Sequence, residues 1–163
     1  MNIQAALKSQ YHAALAMLRQ TIERCPEDLW ISGEHPRTFW RIAYHALFFT
    51  HLYLQSNEAA FRPWERHRED CDMLYTESWR SDHEPEVVVP YSKGDLLEYL
   101  DLLDAMIDDG VDGLDLAAPE SGFPWYQMPK LDHQILNIRH LQQHTGQLSE
   151  LSYAAGVGLD WMA

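Results

Sequence analysis

Four stretches of the chain carry apolar residues at the three-and-four spacing of an amphipathic helix, and each is predicted to be an α-helix. The third has Ser92 as a predicted N-cap, with Asp95 three residues on, and Gly110 as its predicted end. The second is apolar almost all round, which favours burial on more than one side and a homodimer. The four helices are predicted to cover about residues 3–25, 36–57, 93–109 and 129–156.

Two long connections separate these helices. The first, about residues 58–91, is too long for a tight turn, and a short helix is predicted within it around 65–72. The second, about 110–128, contains the aromatic segment SGFPWYQMP, in which Trp125 and Tyr126 are candidates to line a pocket. Long helices joined by long connections predict an all-α fold, a four-helix bundle with long crossover connections, as a single domain over residues 1–163.

The fourth helix carries an unusual apolar face. At about 100° per residue, His133, His140, His144 and Leu151 fall within an arc of roughly 40°, and charged residues take the opposite side. Both His140 and His144 are therefore expected on the core-facing side, and their i, i+4 spacing places them one turn apart. Because an unpartnered buried imidazole is costly, this pattern favours a shared metal ion. The alternative is two core histidines that are hydrogen-bonded to their neighbours.

A metal site of this kind needs a third protein ligand. His45 lies in the middle of the most apolar helix, and His51 lies roughly 120° further around it, so the two cannot face the same site. The pattern favours His45 as the third ligand, with His51 and His12 as alternatives. His133 is expected to lie beside the site. The remaining histidines, predicted to lie at the surface, are His35, His67 and His83.

Composition and short motifs exclude several classes of function. The net charge of −13, from 25 acidic and 12 basic residues, opposes nucleic-acid binding, and no run of about 18 apolar residues predicts a membrane span. The N-terminus lacks the layout of a secretory signal, which favours the cytoplasm. The only two cysteines, Cys25 and Cys71, are not closely spaced and are expected to be ordinary residues of a reduced compartment. Leu141 directly after His140 excludes the zincin protease motif, which needs Glu there.

Three features together resemble the DinB-like (YfiT-like) superfamily. They are a histidine on the second helix, the third-helix pattern SxxDLLxYL that begins at Ser92, and the final HxxxHxGQ from His140 to Gln147. The resemblance covers most of the chain and is specific at the two histidine-bearing helices. It implies a four-helix bundle in which one divalent metal is bound by His45, His140 and His144.

The resemblance also implies an activity. The DinB-like superfamily includes thiol S-transferases that use low-molecular-weight thiols such as bacillithiol, mycothiol or glutathione, and it includes maleylpyruvate isomerases. The expected function is therefore metal-dependent activation of a thiol or of water toward a small-molecule substrate, by a transferase or a related hydrolase or isomerase. Zinc or nickel is the expected metal, with iron or manganese as alternatives. The alternatives stay open because the type of ligand does not choose among these ions. The competing hypothesis is a non-catalytic, metal-stabilised dimeric bundle that binds or senses a ligand.

Overall fold

Helices account for all the regular secondary structure of the residues described by the computed structural model, which are 2–75 and 84–162. The predicted all-α class is confirmed for this part of the chain. His83 and Trp79 lie outside the described residues. The helices are α1 (Ile3–Arg24), α2 (Glu27–Trp30), α3 (Phe39–Tyr53), α4 (Lys93–Asp112) and α5 (Lys130–Ala154), with a 3₁₀ turn at Glu58–Ala60.

Local chemistry sets the helix ends. The Asn2 side chain accepts a hydrogen bond from the Ala5 amide and caps α1. At α4, Ser92 and Asp95 form the predicted capping box, in which each side chain accepts from the other residue's backbone amide. These caps satisfy amide groups that have no partner within the helix, so the starts of α1 and α4 follow directly from the sequence.

The four long helices pack side by side. Helix α3 packs against α5 and, less extensively, against α4, while α1 packs against both α4 and α5. All residues of α3 except Phe49 are buried within this single chain. The all-round apolar surface of α3, which favoured a homodimer, is therefore covered by the protein itself.

Two sequence predictions about the connections and helix ends are wrong. Residues 65–72 form turns rather than a short helix, and Asp70 adopts a left-handed backbone conformation with φ of 63°. Helix α4 continues through Gly110 to Asp112. Gly110 serves packing instead, because a Cβ atom there would lie 2.9 Å from the side chain of Leu54. The missing side chain allows α4 to approach the end of α3.

The buried face of α5 is more polar than its apolar pattern predicted. Leu151, expected at its centre, is 40% exposed, and His140 is only partly buried. Polar side chains take up the core positions because partners on other helices satisfy them: Gln134 donates to the Tyr53 carbonyl, and Asn137 donates to the Thr50 carbonyl. The observed buried face of α5 is therefore rotated around the helix relative to the predicted one. The pair His140 and His144 lies toward one side of this face, next to α3.

Within the described residues, no helix is long and apolar enough to cross a membrane. Cys25 and Cys71 are both buried and free, as expected of ordinary core residues.

Candidate metal centre

Three histidines converge where α3 meets α5. The Nε2 atom of His140 lies 3.1 Å from Nε2 of His45 and 3.1 Å from Nε2 of His144. One ring nitrogen from each residue lies within 4.8 Å of the others, and this triad is the one group of metal-ligating side chains found among the described residues. The i, i+4 spacing on α5 supplies two of the rings, and α3 supplies the third.

Hydrogen bonds fix how two of these rings present their nitrogens. Nδ1 of His45 contacts the carbonyl oxygen of Asp72, and Nδ1 of His144 lies 2.9 Å from Oε1 of Gln147. A carbonyl oxygen can only accept, so each Nδ1 carries the proton in the neutral ring. Each Nε2 is then unprotonated and directs its lone pair toward His140. This is the arrangement that metal-binding histidines commonly show.

Burial keeps the three rings neutral. Burial, together with the adjacent His144, lowers the pKa of His140 to about 3. Burial also lowers the pKa of His45 well below its usual range, with added repulsion from His144 and His140. The pKa of His144 is lowered by burial and partly restored by its hydrogen bond to Gln147. Neutral imidazole is the form that ligates a metal.

The triad fits a metal ion better than it fits a set of hydrogen bonds. A neutral His140 has one N–H, so Nε2 of His140 can donate to only one of its two neighbours, and the lone pair on Nε2 of the other neighbour is left without a hydrogen atom to accept. In addition, Nδ1 of His140 is buried and has no hydrogen-bond partner. Nitrogens bound tetrahedrally to one zinc ion at ~2.0–2.1 Å lie about 3.3 Å apart, which is close to the 3.1 Å of the two Nε2 contacts. His45, His140 and His144 could therefore hold a metal ion.

Aromatic rings pack against the triad. Phe49 lies 4.6 Å from the His45 ring and 5.6 Å from the His140 ring, between ring centroids, and Tyr53 lies beside His140. His45 and His144 are each 6% exposed, whereas His140 is more accessible. Solvent therefore reaches the triad chiefly at His140.

A buried arginine supports the segment that orients His45. Arg41, one turn before His45 on α3, donates from Nη1 to the Asp70 carbonyl at 2.8 Å and from Nη2 to the Glu86 carbonyl at 2.7 Å. The Glu86 amide in turn donates to the Asp70 carboxylate. Since Asp72 follows Asp70 closely, these bonds hold the Asp72 carbonyl where Nδ1 of His45 meets it.

Arg41→Met should weaken zinc binding by about ten- to a hundredfold, the usual cost of losing support for a ligand. Arg68→Met is the matched control: Arg68 also binds this connection, through the Val89 carbonyl, but does not hold Asp70 or Glu86. Chelator competition measures both affinities. Equal zinc affinity of wild type and a folded Arg41→Met variant would contradict the supporting role.

The other histidines have separate partners. Nδ1 of His51 lies 3.0 Å from the Tyr99 hydroxyl, and His12 at the surface pairs with Asp104 and Asp108. His35 is exposed, as predicted. The surface prediction for His67 is wrong, because this ring is partly buried, stacks on Tyr44 and bonds to its hydroxyl at 2.6 Å. None of these rings joins the triad.

His133 is fully buried outside the triad. Its ring stacks on Phe123 and contacts Tyr53 and Tyr126, and neither ring nitrogen has a hydrogen-bond partner. Tyr126 is therefore a packing residue, while Trp125 is 47% exposed. Trp64, in the first long connection, is buried and stacks on Tyr99 in the core.

The metal-free protein should lose stability as the pH falls from about 6.5 to about 4. Burial lowers the pKa of His51 and of His133 to about 4, so below about 6.5 the unfolded chain takes up protons that the folded protein does not. Each such group adds a slope of at most about 1.4 kcal/mol per pH unit. Urea unfolding across this range measures the effect, and His51→Gln should show a shallower decline. An unfolding free energy that stays constant to pH 4.5 would be inconsistent with these shifts.

Comparison with known proteins identifies no related family, protein or structure. No family model, curated protein or solved structure matches this chain significantly. The case for its function therefore rests on the residues themselves.

Three residues of the site were missed by sequence reasoning. Gln147 could have been found, because its i+3 position after His144 places it on the same side of α5. The Asp72 carbonyl and the Arg41 support belong to contacts between distant parts of the chain, for which the sequence carries no local signal.

Proposed function

We propose that this protein binds one divalent metal ion through His45, His140 and His144 and uses it to activate a thiol for transfer to a small molecule. The observation that carries the proposal is the convergence of three imidazoles beside a partly exposed edge, where Nε2 of His140 lies 3.1 Å from Nε2 of His45 and 3.1 Å from Nε2 of His144. The packing of α1, α3, α4 and α5 supports a four-helix bundle with long crossover connections of the DinB-like type. Zinc or nickel is the proposed metal, with iron or manganese as alternatives.

The chain's own residues prepare the site for this chemistry. The Asp72 carbonyl and Gln147 hold the protons of His45 and His144 on Nδ1, so that both Nε2 atoms are free to ligate. Phe49 packs against His45 and Tyr53 packs against His140, so that apolar rings cover part of the site. A divalent ion bound by such ligands lowers the pKa of a thiol or of water and so supplies a nucleophile at neutral pH.

The proposed reaction is a nucleophilic substitution, in which the thiol sulfur replaces a leaving group of the small molecule. The thiol releases its proton to solvent, its sulfur attacks an electrophilic carbon of the small molecule, and a C–S bond forms. The leaving group departs with the electrons of the broken bond. A low-molecular-weight thiol is the proposed co-substrate.

The thiol step can be tested with cobalt(II) in place of the native metal. Cobalt-loaded protein is mixed with low-molecular-weight thiols, and sulfur ligation is followed by the charge-transfer absorption that a cobalt–thiolate bond produces. The proposal expects this band with wild type and not with His140→Ala. Conjugation of the same thiols to a panel of electrophiles then tests the transfer itself, and no metal-dependent product across the panel would contradict catalysis.

Deep burial favours a second candidate function. His45 and His144 are each only 6% exposed, which suits a metal that stabilises the fold of a non-catalytic ligand-binding or sensing bundle. Stoichiometric metal without thiol ligation would favour this alternative. The homodimer stays a prediction, which a monomeric mass at micromolar concentrations would contradict.

A further inference from the structure

Every residue of α3 is buried except Phe49, whose ring is partly exposed. Phe49 nevertheless packs against the core, where its ring centroid lies 5.4 Å from that of Phe48 and 5.5 Å from that of Tyr53. These contacts hold the ring in place while part of it stays accessible. An apolar surface that is already fixed loses little conformational freedom when a ligand binds to it.

The accessible part of Phe49 adjoins the accessible part of the triad. The Phe49 ring centroid lies 4.6 Å from that of His45 and 5.6 Å from that of His140. Phe49 and His140 are both partly exposed, whereas the other aromatic and imidazole rings that contact either of them are buried. A molecule that reaches the triad at His140 would therefore also meet the ring of Phe49.

We propose that Phe49 forms an apolar wall of the substrate site and packs against an aromatic group of a small molecule bound at the triad. An aryl ring gains from this contact in two ways, because apolar surface leaves water and because two rings attract each other in offset or edge-to-face arrangements. A methyl group in the same place gains less, since it covers less of Phe49. This inference rests on the proposed function and narrows its small-molecule substrate to one that carries an aryl group.

Three hydroxamates test the inference, because they share one metal-binding group and differ only in the group attached to it. Acetohydroxamate carries a methyl group, cyclohexanecarbohydroxamate a saturated ring and benzohydroxamate a phenyl ring. Their dissociation constants from cobalt-loaded wild type, Phe49→Ala and Phe49→Leu are measured by the change in the cobalt(II) absorption bands. For each hydroxamate, the ratio of variant to wild-type dissociation constant removes intrinsic differences between the three ligands.

Phe61→Ala is the matched control. Phe61 is also a partly buried phenylalanine, and its ring centroid lies 5.3 Å from that of Phe48. Within the described part of the chain, its ring contacts are to Phe48 and His51 and not to the triad. A loss of affinity that comes from general loosening of the core would therefore appear in Phe61→Ala as well.

For Phe49→Ala, the expected ratio is about 10 for benzohydroxamate, the value of one aromatic contact with its buried area, and about 1 for acetohydroxamate. Phe49→Leu keeps apolar bulk and removes the ring, so its ratio should be about 3 for benzohydroxamate and about 1 for cyclohexanecarbohydroxamate. All ratios should stay near 1 for Phe61→Ala. Chelator competition should give Phe49→Leu the cobalt affinity of wild type within about threefold, because Phe49 is not a metal ligand.

The outcomes separate this inference from the proposed function. Equal ratios for benzohydroxamate and acetohydroxamate in Phe49→Ala, or the same benzohydroxamate loss in Phe61→Ala, would overturn the role of Phe49 alone. So would equal ratios for the phenyl and saturated rings in Phe49→Leu, or a Phe49→Leu variant that no longer holds cobalt. Cobalt bands that no hydroxamate changes in wild type would overturn the proposed function as well, because the metal would then have no open position.

Discussion

Replacing His45 by alanine should weaken zinc binding by more than about a hundredfold, whereas replacing His51 should change it by less than about threefold. Both histidines are buried on α3, and the sequence pattern alone left both as candidates. The structure separates them: His45 meets His140 at 3.1 Å, while His51 bonds to the Tyr99 hydroxyl on α4. Removal of a direct ligand costs more than the ten- to hundredfold loss typical of a supporting group.

Competition with a chromogenic chelator gives the zinc affinity of each variant. Because both substitutions remove a buried ring, circular dichroism and unfolding curves must first show that each variant is folded. Similar zinc affinity of the two variants would mean that the triad does not bind the metal.

Zinc should raise the stability of the wild-type protein strongly. A metal that binds the folded state alone adds about 4 kcal/mol at a free concentration a thousandfold above its dissociation constant. For a domain of this size, that corresponds to a rise in Tm of roughly 8–16 °C. The stabilisation arises because the triad joins α3 to α5 and exists only when these helices are packed.

Thermal unfolding with buffered zinc and with chelator measures this rise. His144→Ala is the control, because it should unfold at the same temperature under both conditions. A wild-type Tm that is indifferent to zinc would rule out a tightly bound ion at the triad.

Helix order and most helix ends could be predicted because local signals set them. The capping box of Ser92 and Asp95 and the apolar spacing of α1 need no tertiary information. The end of α4 could not be predicted, because Gly110 looks like a helix stop and in fact makes room for Leu54. The buried face of α5 was predicted incorrectly, because the polar residues Gln134 and Asn137 occupy core positions. Their side chains donate hydrogen bonds to carbonyls that are distant in sequence.

The histidines of the site were predictable to different degrees. The i, i+4 pair of α5 follows from spacing alone, and His45 was preferred because an imidazole in the middle of an apolar helix needs a partner. The resemblance to the DinB-like superfamily stays a prediction. Arg41 supports the site through connections between distant parts of the chain, so its place emerges only when α3 and the segment around Asp70 and Glu86 pack together.

The central claim is that His45, His140 and His144 hold one divalent metal ion. Metal content tests it most directly: wild type and His144→Ala are each equilibrated with zinc, freed of unbound ion and analysed by plasma mass spectrometry. The triad predicts one zinc ion per chain in wild type and loss of that ion in the folded His144→Ala variant. Undiminished zinc in His144→Ala, or none in wild type, would contradict it.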